Sequence, residues 1–258
     1  MTPMLRRIFY RNKEALLPSD PWTLVAESDT ETGVEDELAS WTGPSLRHGD
    51  LARVWSEGYE DLLVFDEDRA AFVNIKRPSG CWSWPSSWSK DWTLFEMLKQ
   101  CSFVDRRRLA LAACDCAQIA TDVIPAKQRA LAQETIDVVR RWARGISSVN
   151  EVREAWASAS AAGNALYNRD PVEWEPWHAC VAAQDTASAV TAPDKFYAQQ
   201  VSDIPGRVMK SLPDRAEEVR KAMRSIIWRR IPLSVLACSV AGLRDPLPLP
   251  RDNPRRRR

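Results

Sequence analysis

The spacing of apolar residues changes near Trp92, and this change constrains the fold more than any other feature of the chain. Beyond it, Leu109, Ala113 and Cys116 recur at intervals of three and four, which is the period of one face of an α-helix. We therefore expect residues 91–244 to form an all-α domain. The expected architecture is a compact antiparallel helical bundle.

Proline, glycine and a capping box mark the ends of the first helices. Pro125 ends the first because proline has no amide donor and restricts the residue before it. Gly145 is placed to end the second helix, and Ser148 and Glu151 have capping-box spacing at the start of the third. The stripe of the second helix predicted to face inward is Leu131, Thr135, Val138 and Trp142.

Later helices are expected over 175–191, over 194–203 and from Pro213 onward. Pro205, followed by glycine, is expected to break the chain, because proline and glycine are the strongest breakers of a helix. Pro232 either kinks the last long helix or begins a new one.

The N-terminal part, residues 1–90, lacks this period. Proline and glycine interrupt it and its apolar runs are short, so we expect a smaller irregular region. A β-hairpin is expected at 62–75 and a tryptophan-rich linker at 77–92. The Pro- and Arg-rich residues 245–258 are predicted to be a disordered tail. The fold class is thus mainly α, with a helical bundle preceded by a region that contains a hairpin.

Charge and cysteine usage favour a cytoplasmic protein. The net charge is +1, so no global field steers the molecule toward nucleic acid or an anionic membrane. Residues 1–10 lack the apolar stretch of a secretory signal. The apolar run Leu233 to Leu243 is shorter than the ~20 residues that span a bilayer, and we interpret it as a buried helix. Cysteines in the helical patterns are expected to be packed, reduced thiols.

No catalytic or metal-binding motif stands out. Phosphate loops, nucleophile elbows, zinc pairs and dinucleotide fingerprints are all missing from the sequence, so we expect no enzymatic activity and no cofactor. Cys114 and Cys116, like His178 and Cys180, are two residues apart. On a helix such pairs point about 200° away from each other, which argues against a shared metal. His48 lies in a Gly-flanked loop that we interpret as a solvated turn.

One histidine and carboxylate share a predicted helical face. His178 and Asp185 are two turns apart, about 10 Å along the axis. This separation is too long for a direct hydrogen bond, so we do not expect a proton-transfer pair.

Three groups of residues are candidate binding sites, each with an unremarkable alternative. The tryptophans of the linker either pack on the helical domain or form a recognition loop for a partner. An acidic stretch and a basic C-terminus are either solvated segments or contact sites, for a basic partner and for nucleic-acid phosphates respectively. The candidate residues are Trp82, Trp84 and Trp88 in the linker, Glu35, Asp36 and Glu37 in the acidic stretch, and Arg255, Arg256, Arg257 and Arg258 at the end.

The helical part resembles a known family. Residues 107–145 contain an Ala-Cys-rich helix, Leu109 to Ala117, and a second helix that ends with Trp142 to Gly145. These features, with a later Ala-rich helix near Ala182 to Val190, resemble the helical Imm-5-like immunity proteins found beside bacterial polymorphic toxins. The order of a short Leu-rich segment, 94–98, before the Ala-Cys-rich helix is also similar to that of helical proteins from large bacterial genomes.

The resemblance implies a non-enzymatic protein that binds and neutralises a partner toxin, and it supplies no catalytic residues. The alternative is a nucleic-acid-associated or scaffold protein that uses the arginine tail. No membrane partner is expected, and the sequence does not give the oligomeric state.

Overall fold

The structure, a computed structural model, divides into two compact units. One combines residues 1–91 with 232–248, and the other contains 92–231 and 249–258. The described part of the chain holds five β-strands and seven α-helices, so the prediction of a mainly α fold with a preceding β region is confirmed. The described residues are 6–15, 21–28, 38, 41, 43–56, 59–75, 104–193, 196–247 and 249.

Six of the helices belong to the second unit, which we call the helical unit. They are connected by short segments, two of which contain single 3₁₀ turns, Thr121–Val123 and Pro213–Arg215. The helices are α1 (Arg106–Gln118), α2 (Ala126–Ala143), α3 (Val149–Tyr167), α4 (Trp174–Thr191), α5 (Tyr197–Ser211) and α6 (Ala216–Arg230).

The predicted helix ends between α2 and α3 are confirmed. Ser148 Oγ accepts a hydrogen bond from the Glu151 amide at 3.2 Å, and the Glu151 carboxylate accepts one from the Ser148 amide at 2.6 Å, which completes the capping box. Gly145 has a φ of +78°, a conformation that glycine adopts without a Cβ penalty. The amide of Ile146 then donates to the Arg141 carbonyl at 2.9 Å, as in a Schellman motif.

Helix α4 lies at the centre of the helical unit. It contacts α1, α2, α3 and α5, and nearly all of its buried side chains are small. Small residues at the contacts let helix axes approach closely, so four helices can pack around one. The buried residues of α4 are Ala179, Cys180, Ala182, Ala183, Thr186, Ala187, Ala189 and Val190.

The predicted inward stripe of α2 is wrong by about one position. Leu131 is 38% exposed and Trp142 is only half-buried. Thr135 and Val138 are buried as expected, and Thr135 Oγ1 donates to the Ala155 carbonyl at 2.9 Å. Alanines of α2 face the core because small residues let helices pack closely. The sequence prediction relied on the spacing of large apolar side chains and therefore missed these alanines. The buried residues of α2 are Gln128, Ala132, Thr135, Ile136, Val138, Val139 and Ala143.

The predicted chain break at Pro205 is also wrong. Helix α5 continues through Pro205 to Ser211. Proline removes one backbone hydrogen bond, and the buried apolar face of α5, which includes Val201, Ile204 and Val208, holds the helix together across it. Pro232 begins a new helix, α7 (Leu233–Val240).

The first unit, which we call the sheet unit, is more regular than predicted. The expected hairpin is present, since β4 and β5 pair antiparallel around a turn at 67–70. Three further strands extend it to an antiparallel sheet with the order β2-β1-β3-β4-β5. The strands are β1 (Arg6–Arg11), β2 (Thr23–Ser28), β3 (Leu51–Ser56), β4 (Tyr59–Asp66) and β5 (Ala71–Asn74).

Strands β1 and β3 were not predicted from the sequence, because arginines stand among their apolar residues and disturb the expected alternation. Arg7 lies opposite Trp55, and Phe9 lies opposite Arg53, across the β1–β3 pair. The guanidinium of Arg7 is 5.7 Å from the Trp55 ring, and that of Arg53 is 4.9 Å from the Phe9 ring. Charged and aromatic side chains therefore share one face through cation–π contacts.

The chain after Ile231 groups with the sheet unit. The sequence prediction assigned residues up to 244 to the helical domain, whereas 232–248 belong to the sheet unit and α7 contacts β4. Pro246 is buried beside Gly49, so residues 245–247 are ordered where a disordered tail was predicted. His48, predicted to be solvated, is 5% exposed and its Nε2 lies 3.0 Å from the Arg244 carbonyl oxygen.

The phase of α2 can be tested with two aliphatic residues of the same helix. Ile136 is fully buried and Leu131 is 38% exposed. Ile136→Ala should lower the free energy of unfolding by about 2 to 5 kcal/mol, because it leaves a cavity. Leu131→Ala should cost less than about 1 kcal/mol. Urea denaturation measures both. Equal losses, or a larger loss for Leu131→Ala, would restore the phase predicted from the sequence.

Candidate protein-binding face

The binding residues predicted from the sequence lie outside the described residues. The structure therefore neither brings them together nor separates them, and their roles stay predictions. These residues are Trp82, Trp84 and Trp88, Glu35, Asp36 and Glu37, and Arg255, Arg256, Arg257 and Arg258.

A different aromatic cluster forms in the helical unit, where α3 ends and α4 begins. The Tyr167 ring lies 6.0 Å from that of Trp174 and 5.7 Å from that of Trp177, and the two tryptophan rings are 5.6 Å apart. The His178 ring lies 4.7 Å from Trp177. Tyr167 is 49% exposed and Trp174 is 50% exposed, so the cluster is open to solvent although its rings contact one another.

The packing of α3 against α4 explains why these rings point outward. A Cβ added to Gly163 would lie 3.8 Å from the Cys180 Cβ, so the two helices approach each other through small groups. Such a seam leaves no room for an indole. The large residues of α4, Trp174 and Trp177, fall in its first turn, beyond the small buried residues. They therefore pack on the end of α3, at Tyr167.

A further tryptophan continues the line of aromatic residues along α3. Trp156 precedes Tyr167 by three helical turns, about 16 Å. It is exposed, and its Nε1 donates a hydrogen bond to Ser188 Oγ of α4 at 2.8 Å. We call the surface formed by Trp156, Tyr167, Trp174 and Trp177 the α3–α4 aromatic face.

Arg207 of α5 borders this face with positive charge. Its guanidinium lies 5.5 Å from the Trp177 ring, and its Nε lies 4.0 Å from Oδ2 of Asp185. Burial lowers the pKa of His178, and the charges of Arg207 and Lys210 lower it further. His178 is therefore neutral at pH 7, where it adds an uncharged ring to the cluster.

Asp185 lies beneath Arg207, and its side chain is only 15% exposed. Burial raises the pKa of this carboxyl to about 7, while Arg207 opposes the shift and Asp203 adds to it. A carboxyl with such a pKa is partly ionised at neutral pH. The ion pair that holds Arg207 against Trp177 therefore varies in strength near pH 7.

The described residues offer little for metal or thiol chemistry. They contain no group of three or more His, Cys, Asp or Glu side chains that could hold a metal ion. Cys114, Cys116, Cys180 and Cys238 are free and buried. Burial raises the pKa of Cys114 to about 12, so this thiol stays protonated and unreactive at pH 7. None of the helices within the described ranges is long and apolar enough to cross a membrane.

No protein-family model, curated protein or solved structure matches this chain.

The aromatic face was not predicted from the sequence, although a signal for it was present. Trp174 and Trp177 are three residues apart at the start of a helix whose buried positions are mostly alanine. Two large rings that precede a stripe of small residues indicate an exposed aromatic surface.

The buried carboxyl of Asp185 predicts that the free energy of unfolding depends on pH. Because the pKa of Asp185 rises from 3.8 to about 7 on folding, the folded state binds this proton more tightly than the unfolded state does. The free energy of unfolding should therefore fall as the pH rises from about 4 to about 7. Asp185→Asn removes the titration and should be more stable than the wild type above pH 7, by a few kcal/mol at about 1.4 kcal/mol per pKa unit.

Denaturant melts at pH 5 and pH 8 measure this difference. Asp214→Asn, at an exposed position of the turn before α6, is the matched control and should follow the wild type at both pH values. A gap between Asp185→Asn and the wild type that is the same at pH 5 and pH 8 would show that Asp185 does not titrate in this range.

Proposed function

We propose that this chain is a non-enzymatic protein-binding module whose partner docks on the α3–α4 aromatic face. The observation that carries the proposal is the cluster of Tyr167, Trp174 and Trp177, in which two large rings are about half exposed while in contact with one another. Contiguous exposed apolar surface of this kind marks interaction sites in soluble proteins.

The composition of the face supports a protein partner. Tryptophan, tyrosine and arginine are the residues most enriched among binding hot spots, and Arg207 adds the third type beside Trp177. Mutual ring contacts hold the side chains in place before binding, which lowers the entropy that binding would otherwise cost. An ion pair between Arg169 and Glu173, in the α3–α4 connection, supplies a polar rim.

The arginines of the helical unit favour protein over nucleic acid as the partner. Nucleic-acid binding needs cationic side chains gathered on one surface. Arg140 and Arg230 both pair with Asp115, at 3.0 Å and 2.6 Å. Arg141 pairs with Glu134 at 2.9 Å. Asp137 also pairs with Arg140, at 3.3 Å, so three carboxylates neutralise these three arginines within the fold. The alternative, based on the arginine tail, rests on residues outside the described part of the chain.

The resemblance of the helices to Imm-5-like immunity proteins gives the narrower form of the proposal, in which the partner is a bacterial toxin. Its first test is whether a toxin-like reading frame adjoins the gene in the native host, and its second is co-expression of that toxin with this chain. Survival of the host with this chain, and death without it, is the expected result. Death in both cases would reject the toxin while leaving other protein partners open to the binding test.

The binding proposal is tested with surface variants and the partner captured from the native host and identified by mass spectrometry. Trp174→Ala should weaken binding by about 30-fold or more, as expected for a hot-spot residue worth about 2 kcal/mol. Because Trp174 is half exposed, its truncation leaves no buried cavity and the melting temperature should stay within a few degrees of the wild type.

Ile146→Ala is the matched control. Ile146 is an exposed apolar residue of the same unit, located in the turn after α2 and not part of the aromatic face. Its truncation should change the dissociation constant by less than about twofold. If Trp174→Ala binds as tightly as Ile146→Ala does, the partner uses another surface and the proposal fails.

A further inference from the structure

Arg207 of α5 is largely covered, yet its guanidinium forms no hydrogen bond with any described residue. The side chain is only 33% exposed. Its guanidinium carbon lies 5.5 Å from the centre of the Trp177 ring, and its Nε lies 4.0 Å from Oδ2 of Asp185. A separation of 4.0 Å is too long for a hydrogen bond. The terminal nitrogens Nη1 and Nη2 therefore have no acceptor within the described part of the chain.

The covered position of Arg207 distinguishes it from other arginines of the helical unit. Arg140 donates to Asp115 at 3.0 Å, so its charge is balanced where it lies. The side chains of Arg107 and Arg144 also form no hydrogen bond within the described ranges, but both residues are exposed and water can supply their acceptors. A covered guanidinium has less access to water, and the lower effective dielectric strengthens its attraction for an anion that reaches it.

The positive charge beside Trp177 is only partly balanced. Burial raises the pKa of the Asp185 carboxyl to about 7, so this carboxyl carries only part of a charge at neutral pH. Lys210, one helical turn after Arg207, is exposed and has no ion pair with a described residue. Its charge acts on the aromatic cluster, since it lowers the pKa of His178.

Two exposed carboxylates limit the kind of anion that this surface accepts. Glu175 lies in the first turn of α4 and Asp203 lies one turn before Arg207, and neither forms an ion pair with a described residue. Glu175 raises the pKa of His178, and Asp203 raises that of Asp185. Both carboxylates repel a run of acidic residues. Because salt screens exposed charges more than covered ones, a single carboxylate in direct contact with the guanidinium is still attracted.

We propose that the partner docks on the α3–α4 aromatic face with one Asp or Glu side chain, whose carboxylate accepts hydrogen bonds from the terminal nitrogens of Arg207. An adjacent apolar side chain of the partner packs beside Trp174 and Trp177. This inference rests on the proposed function and names the chemistry of the docking segment. The planar guanidinium matches a carboxylate in geometry because it donates two parallel hydrogen bonds. The apolar neighbour excludes water from the pair, as the contacts around binding hot spots do.

Selection of random peptides tests this chemistry before the partner is identified. Peptides displayed on phage are selected against the full-length protein, and phage that also bind Trp174→Ala are discarded, so that the remaining peptides need the aromatic face. Most of them should carry one Asp or Glu next to an apolar residue, and acidic runs should be absent. Trp174-dependent peptides without a carboxylate leave the proposed function standing and overturn this inference. If no selected peptide depends on Trp174, both are rejected.

A matched pair of peptides isolates the carboxylate and needs no substitution in the protein. One is the tightest-binding selected peptide, and its twin carries the corresponding amide, Asn or Gln, in place of the acidic residue. Both have blocked termini, so the side chain supplies the carboxylate. In isothermal titration calorimetry, the acidic peptide should bind the wild type at least about tenfold more tightly, as expected for hydrogen bonds between charged groups. Equal affinities overturn the inference.

Variants of Arg207 assign the preference to this side chain. Arg207→Gln should bind the acidic peptide and its twin equally. Arg207→Lys keeps the charge but loses the planar fork, so its preference should be intermediate. Arg229→Gln is the matched control, because Arg229 is exposed on α6 and outside the aromatic face, and this variant should retain the full preference. A preference for the acidic peptide that persists in Arg207→Gln contradicts the assignment.

Discussion

The helical unit depends on the small side chains of α4. Four helices contact α4, and its buried positions are almost entirely alanine, cysteine and threonine. Helix axes can approach closely only where the residues between them are small, so a single larger residue in the middle of α4 would force several neighbours apart at once. Overpacking of this kind costs typically 1 to 3 kcal/mol. This constraint keeps indole rings out of the seam between α3 and α4, so that Trp174 and Trp177 lie at the end of that seam.

The surface of the unit follows from the same constraint. Trp174 and Trp177 begin α4 and pack against Tyr167 at the end of α3, where the rings contact one another and remain open to solvent. Arg207 lies between Trp177 and the buried carboxyl of Asp185. This exposed aromatic surface, with a cation at its border, is the binding site that we propose for a protein partner, and burial raises the pKa of the Asp185 carboxyl beneath it to about 7.

Features that depend on neighbouring residues were predicted correctly from the sequence. These are the stop at Gly145, the capping box of Ser148 and the hairpin of β4 and β5. Predictions from the sequence were wrong where contacts between residues distant in the chain determine the structure. Trp142 is large and lies on a plausible stripe, yet Ile136 and alanines fill the core of α2. Strand β1 was missed because its three apolar residues are consecutive and flanked by arginines, and the ring that accepts Arg7, that of Trp55, lies on β3. The aromatic face likewise joins residues from different elements.

Hydrogen exchange of the complex tests the proposed binding of a protein at the α3–α4 aromatic face without any substitution. Amides at the end of α3 and in the first turns of α4, from about Leu166 to Ala179, should exchange more slowly when the partner is bound, since docking excludes water and suppresses local opening there. Amides of α6, which do not contribute to the face, should exchange at the same rate with and without the partner. Protection confined to other segments, with Leu166 to Ala179 unchanged, would contradict the account.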